Sequence, residues 1–178
     1  MAKIVVLGAG ISGHTAAAHL RRKLSKEHEV IVVSPNRNYQ WVPSNIWVGI
    51  GRMKSKEIIF PLEPLYKRKG IGYIQSKAVS FHPEGDNTET KPYILVEGVS
   101  GDTLGKQEKV TYDYLINATG PKLAFDMTEG LVPGTNKAYS VCTYDHAEHA
   151  SEALLKLIGE LKNSDKKVKI LIGTGHAK

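Results

Sequence analysis

A single cysteine, Cys142, stands in the 178 residues, so no disulfide can form within the chain, and the composition suits a reducing compartment. No apolar run approaches the roughly 18–20 residues that a membrane-spanning helix needs. The N-terminus has no signal-peptide pattern, because its apolar stretch is short and runs straight into a glycine turn. Aromatic residues are few and do not interleave with basic ones in the stripe of a nucleic-acid module, so no nucleic acid is expected as a partner. The histidines lack cysteine or carboxylate partners at ligand spacing, so no metal site is expected. Repeats of the solenoid type are absent as well.

What is present reads as an α/β protein. The chain is 41% apolar and 24% charged with 17 glycines, and its length suits one well-cored domain with a second begun. Net charge is +6, with basic clusters at Arg21-Arg22-Lys23, Lys67-Arg68-Lys69 and Lys166-Lys167. Such clusters fit solvated helix ends; attraction to anionic lipid headgroups is the other reading.

Residues 3–7 predict a fully buried parallel strand, and residues 13–26 a helix packing through Ala16, Ala17, Ala18 and Leu20. Val30 to Val33 predict a second buried strand ending at the Ser34-Pro35-Asn36 turn, which completes a βαβ unit with a right-handed crossover. Residues 36–57 look irregular, yet Trp41, Val42, Ile46, Trp47 and Ile50 make the stretch apolar enough to be expected to pack. A short helix is expected over 61–69 with Pro61 near its first turn, and strand pieces over 72–75 and 78–82. Hairpin arms are expected at 93–97 and 109–112. Residues 145–162 form an amphipathic pattern with Ala147, Ala150, Leu154, Leu157, Ile158 and Leu161 on one face. A last strand is expected at Val168–Ile172, running into Gly173-Thr174-Gly175 as an echo of residues 3–10. The expected architecture is a Rossmann-like dinucleotide-binding fold with a parallel sheet and an inserted β-hairpin over residues 1–140. Residues 141–178 would begin a second Rossmann-like fold, the chain being a portion of something longer.

Gly8, Gly10 and Gly13 suit a tight turn, close backbone approach to phosphate, and close helix–strand packing, with a pyrophosphate on the N-terminus of the following helix. At the end of the second strand, 21 residues past Gly13, Ser34 replaces the usual acidic ribose ligand. Ala118-Thr119-Gly120, ending the apolar strand expected in Tyr112-Asp113-Tyr114-Leu115-Ile116-Asn117, is either an ordinary turn or a place where backbone lies close to a cofactor. Cys142 is either a buried packing residue or a thiol whose thiolate is favoured by the N-terminus of the last helix. That helix is expected to carry an Asp145-x-x-Glu148 capping box. His146 and His149 alone would read as surface helix residues.

Three segments carry a resemblance. Gln40-Trp41-Val42-Pro43-Ser44-Asn45-Ile46-Trp47-Val48-Gly49-Ile50-Gly51 resembles the flavin-proximal loop of sulfide:quinone oxidoreductases. Tyr112 to Leu123, containing Asn117-Ala118-Thr119-Gly120-Pro121-Lys122, and Ser140-Val141-Cys142-Thr143-Tyr144-Asp145-His146-Ala147-Glu148 resemble two further segments of that family. The resemblance implies an FAD enzyme that oxidises sulfide to sulfur or polysulfide and passes two electrons to quinone. It implies peripheral membrane attachment through regions beyond this chain and leaves open a homo-oligomer, while the missing signal-peptide pattern favours the cytoplasmic face. Cys142 matches the first of the family's sulfur-carrying cysteines, and His146 a histidine suited to handling a proton. The FAD-binding positions implied are Gly8, Ala9, Gly10, Ile11, Ser12 and Gly13 at the pyrophosphate, and Ser34 and Pro35 at the ribose. Ser44 would lie near the ring, Ala78 and Val79 would offer backbone to the adenine, and Ala118, Thr119 and Gly120 would line the far side. Residues 1–178 alone are not expected to turn over. Two rivals stand: a type II NADH:quinone oxidoreductase, and a nucleotide-binding module without redox turnover.

Overall fold

The computed structural model describes residues 1–135 and 138–173. In chain order the elements are β1 (Lys3–Leu7), α1 (Ile11–Lys23), β2 (Glu29–Val33), β3 (Asn38–Gln40), α2 (Asn45–Gly49), β4 (Ile59–Pro61) and α3 (Leu62–Lys69). They continue with β5 (Gly72–Ile74), β6 (Ser76–His82), β7 (Tyr93–Gly98), β8 (Gln107–Thr111), β9 (Tyr114–Asn117) and α4 (Tyr144–Leu161). The chain divides into two compact units, one of residues 1–39 and 61–121, the other of residues 40–60 and 122–178.

The first unit is built on a parallel sheet of order β5-β2-β1-β9. Its central strands are apolar at nearly every position because both faces are covered. Side chains alternate across a strand, so Val6, Val30 and Val32 enter one core with Ala17 of α1 and Leu62 and Tyr66 of α3. Val5, Leu7, Ile31 and Val33 enter a second core with Ile94, Val96 and Val110 of the antiparallel sheet β6-β7-β8. The expected Rossmann-like fold with an inserted hairpin is therefore present, the insertion being a three-stranded meander. Two of the basic clusters sit in the last turns of α1 and α3, where cations complement the helix dipole. Arg21 also donates to the carbonyls of Leu24, Ser25 and His28 beyond the end of α1.

A polar cluster lies inside the first of these cores. The fully buried Tyr66 places its hydroxyl 3.2 Å from His14 Nδ1, and His14 also packs on the Tyr39 ring at 4.9 Å. Burial first, and Lys69 second, lower the His14 pKa, while burial raises that of Tyr66. The neutral imidazole and the phenol thus share one hydrogen bond, its direction following the imidazole tautomer. Because the unfolded chain takes up this proton at a higher pH than the folded one, stability falls as pH drops below about 6.5 and levels off under the folded value. We expect the melting temperature to decline between pH 7 and 5 and the decline to flatten in His14→Asn; an equal slope in both proteins would exclude His14 as its source.

In the second unit, α2 packs against α4, with Val48, Ile58 and Ala147 buried together. The segment expected to pack does so through Asn45, Val48 and Gly49, whereas Trp41, Val42, Ile46, Trp47 and Ile50 are exposed. The reason is local: the short helix turns Val48 and Gly49 toward α4, and a side chain on Gly49 would come within 2.6 Å of Val141 Cγ1. Ala147 of the predicted α4 face is buried and Leu154, Leu157 and Leu161 are half-buried, while Ile158 is 53% exposed.

Two further expectations are corrected. Thr143, not Asp145, stands at the N-cap of α4; Asp145 lies in the first turn, and the Glu148 carboxylate accepts a hydrogen bond from Ser55 instead of closing a capping box. Thr143 is itself a cap-type residue, and a long-range partner takes Glu148. The predicted strand Val168–Ile172 does not form. Leu171 and Ile172 are 86% and 96% exposed, and a lone strand has no ladder to satisfy its backbone without a sheet beside it. Thr174 and Gly175 of the glycine echo lie outside the described residues.

Candidate functional site

The glycine turn follows β1 directly. Gly8 has φ +95°, and a Cβ there would collide with the backbone carbonyl of Ala118. Its N–H donates to the Val33 carbonyl at 2.8 Å, and the Ala118 N–H donates to Leu7, so the ends of β1, β2 and β9 meet at this turn. Gly13 is buried in the first turn of α1, where a Cβ would strike the Gly8 carbonyl. Ala9 is buried beside them.

Gly10 differs from both. It has an ordinary extended φ of −71°, caps α1, and a Cβ on it would meet nothing within 4 Å. Gly10, Ile11 and Ser12 are exposed, no side chain caps the helix, and its first turn holds no acidic residue. The N–H groups of that turn are thus free of a competing carboxylate, and the space before them is open. An open, uncapped helix N-terminus of this kind can take a pyrophosphate, so the residues fit a dinucleotide cofactor such as FAD.

At the end of β2, Ser34 is only 1% exposed, and its Oγ accepts a hydrogen bond from the Asn36 N–H at 3.2 Å. Pro35 and Asn36 form the exposed part of the turn. In β6, the register with β7 shifts between Ala78 and Ser80, leaving Val79 as a bulge with no residue opposite. Such a bulge releases backbone groups from the ladder at a position expected to face adenine. Thr119 and Gly120 are exposed after β9, with the Thr119 hydroxyl and N–H both donating to the Asn117 side chain. All these positions belong to the first unit.

Ser44, Cys142 and His146 belong to the second. Ser44 is half-buried and precedes Asn45, a fully buried side chain whose Oδ1 accepts from Gln40 and whose Nδ2 has no partner. Cys142 is exposed, not a packing residue, because it precedes the α4 N-cap and only Ala147 of the helix head is fully enclosed. His146 is half-buried against the edge of the Phe125 ring, 5.3 Å between centroids, and its Nδ1 is buried without a hydrogen-bond partner. It lines a cavity of about 190 Å³ with Tyr139, Ser140, Asp145 and His149. The Thr143 hydroxyl holds the Asp145 carboxyl below the usual carboxylate range. Among the described residues no three His, Cys, Asp or Glu side chains are grouped to hold a metal ion, and no helix is long and apolar enough to cross a membrane.

Sequence reasoning missed Tyr73. Its hydroxyl donates to the Asn36 carbonyl at 2.6 Å, and burial, helped by the Glu63 charge, pushes its pKa up to about 12. The contact joins residues 37 positions apart, and no local pattern announces it.

A family described as pyridine nucleotide-disulphide oxidoreductase matches residues 2–176. The chain is 32% identical over 158 residues to a sulfide-quinone reductase of Aquifex aeolicus, covering 88% of this chain and 32% of that protein. It is 28% identical over 157 residues to a mitochondrial sulfide:quinone oxidoreductase of Dictyostelium discoideum, covering 87% of this chain and 31% of that one. The solved Aquifex aeolicus sulfide:quinone oxidoreductase superposes with a TM-score of 0.72 at 27% identity, over 90% of this chain and 33% of that one. The chain thus spans about a third of the length of these relatives.

Proposed function

The chain belongs to the pyridine nucleotide-disulphide oxidoreductase family, and on that premise we propose that it is the FAD-binding portion of a sulfide:quinone oxidoreductase. The observation that carries the flavin half is the open, uncapped cradle before α1, framed by two glycines at which any side chain would collide with backbone. Gly8 to Gly13 would hold the pyrophosphate, the turn after β2 the ribose, and the Val79 bulge the adenine. Bound FAD supplies reversible two-electron chemistry between a donor and an acceptor.

For the sulfide half, the support is the exposed Cys142 at the head of α4 together with the similarity to named sulfide-quinone reductases. Cys142 is exposed, so in a bridge to a second sulfur it would be open to attack by sulfide, with the displaced thiolate as leaving group. His146, with an unpaired Nδ1 four residues on, is the group suited to hold the proton that sulfide gives up. Quinone would be the electron acceptor, and we place the protein at a membrane surface on its cytoplasmic face.

The test is an anaerobic titration of the intact gene product, following oxidised-flavin absorbance. Bleaching by micromolar sulfide but not by NADH, with colour restored by a quinone, is the expected result. Similarity to type II NADH:quinone oxidoreductases, 27% identity over 133 residues to that of Haemophilus influenzae, gives the rival. Bleaching by NADH alone would move the protein there, and a colourless protein would leave a nucleotide-binding module.

A further inference from the structure

The end of β2 poses a problem for ribose recognition. The carboxylate usual there is absent, and the Ser34 hydroxyl that replaces it is buried and engaged with the Asn36 N–H. What remains exposed is the Pro35–Asn36 turn itself. The turn has ties on three sides. Ser34 N–H donates to the Ile74 carbonyl at 3.1 Å, Ser34 Oγ takes the Asn36 N–H, and Tyr73 Oη donates to the Asn36 carbonyl. Tyr73 in turn packs on Tyr66 at 5.7 Å between ring centroids, and Tyr66 meets His14, the residue directly after Gly13. A continuous line of rings and hydrogen bonds thus runs from the turn after β2 to the helix that follows the glycine turn.

We propose that Tyr73 is a positioning residue for the ribose of the bound dinucleotide, setting the Pro35–Asn36 turn at a fixed distance from the pyrophosphate cradle. The inference rests on the dinucleotide site proposed above. The ribose is recognised by the turn, with Asn36 the polar residue it presents, and Ser34 acts from behind as the second tie. An acidic ligand is not needed because the turn is held from inside the fold. Tyr73 touches no substrate; its effect passes through Asn36.

The test separates the two ends of the ligand. FAD binding to the intact gene product is followed by flavin fluorescence, with ADP, 2′-deoxy-ADP and pyrophosphate as competitors. Losing one hydrogen bond corresponds to a factor of roughly 2–10. Tyr73→Phe should weaken ADP by about that factor, leave pyrophosphate within about twofold, and remove the preference of the wild-type protein for ADP over 2′-deoxy-ADP. Ser34→Ala, which fits the same space, should do the same, and thermal unfolding of both variants checks that they fold. Equal loss of ADP and pyrophosphate would make Tyr73 a purely structural residue and overturn the proposal, as would no loss of either. If the wild-type protein binds pyrophosphate and FAD but shows no preference for the 2′-hydroxyl, this inference fails while the flavin reading stands. If it binds neither FAD nor ADP, the flavin reading fails and this inference with it.

Discussion

Replacing Gly8 by alanine should unfold the glycine turn, whereas the same change at Gly10 should leave the fold intact and remove the cofactor. At Gly8 two costs combine. A positive φ of 95° is strained for any L side chain, of order 1–3 kcal/mol. In addition the new Cβ would collide with the Ala118 carbonyl, a backbone atom held in register by the β1–β9 ladder and unable to move aside cheaply. Together these should cost at least ~3 kcal/mol, a fall in melting temperature of about 6–12 °C for a chain of this size. Gly10→Ala has neither cost: its φ is ordinary and its Cβ would meet open space. It should stay within about 1 kcal/mol of the wild-type stability. That open space is where a pyrophosphate would lie, so FAD affinity should drop by at least ~100-fold, since phosphate approach to the N–H groups of α1 is blocked. Thermal unfolding and flavin retention on purification read the two effects separately. Gly10→Ala with full flavin content would argue that the cradle is not the cofactor site.

The second large effect is expected at Cys142. If the sulfide reading holds, Cys142→Ser in the intact gene product should lower sulfide-dependent flavin reduction by at least ~10³-fold, the scale seen when a nucleophile is removed. Stability should hardly change, because the side chain is exposed and the hydrogen bond of Cys142 to Ser140 Oγ comes from its backbone N–H, which serine keeps. Flavin content should also be unaffected. Because it is the one cysteine among the 178 residues, alkylation of these residues reports on it alone. A Cys142→Ser protein that is still bleached by sulfide at the wild-type rate would assign the sulfur chemistry elsewhere.

Several parts of this protein follow from residues that are neighbours along the chain. Near-continuous apolar runs at residues 3–7 and 30–33 required strands covered on both faces, and both faces are covered. The glycine spacing after β1 required a turn of unusual backbone, which Gly8 supplies with its positive φ, and a close approach, which Gly13 allows to the Gly8 carbonyl. The basic clusters at residues 21–23 and 67–69 fall at helix ends, as dipole complementarity demands.

The remaining features arise from long-range packing, because they join residues that no local pattern relates. Ser55, 93 positions from Glu148, draws that carboxylate away from a capping role. The pleat of β6 against β7 creates the Val79 bulge, a property of two strands together. Ser34 is a polar residue at a strand end, yet burial takes its hydroxyl out of reach, and Tyr73, 37 positions from Asn36, becomes the residue that orients the turn. The apolar sequence at 168–172 shows the converse: apolar character lets a segment be a strand, but only an adjacent strand, with its row of N–H and C=O groups, makes it one.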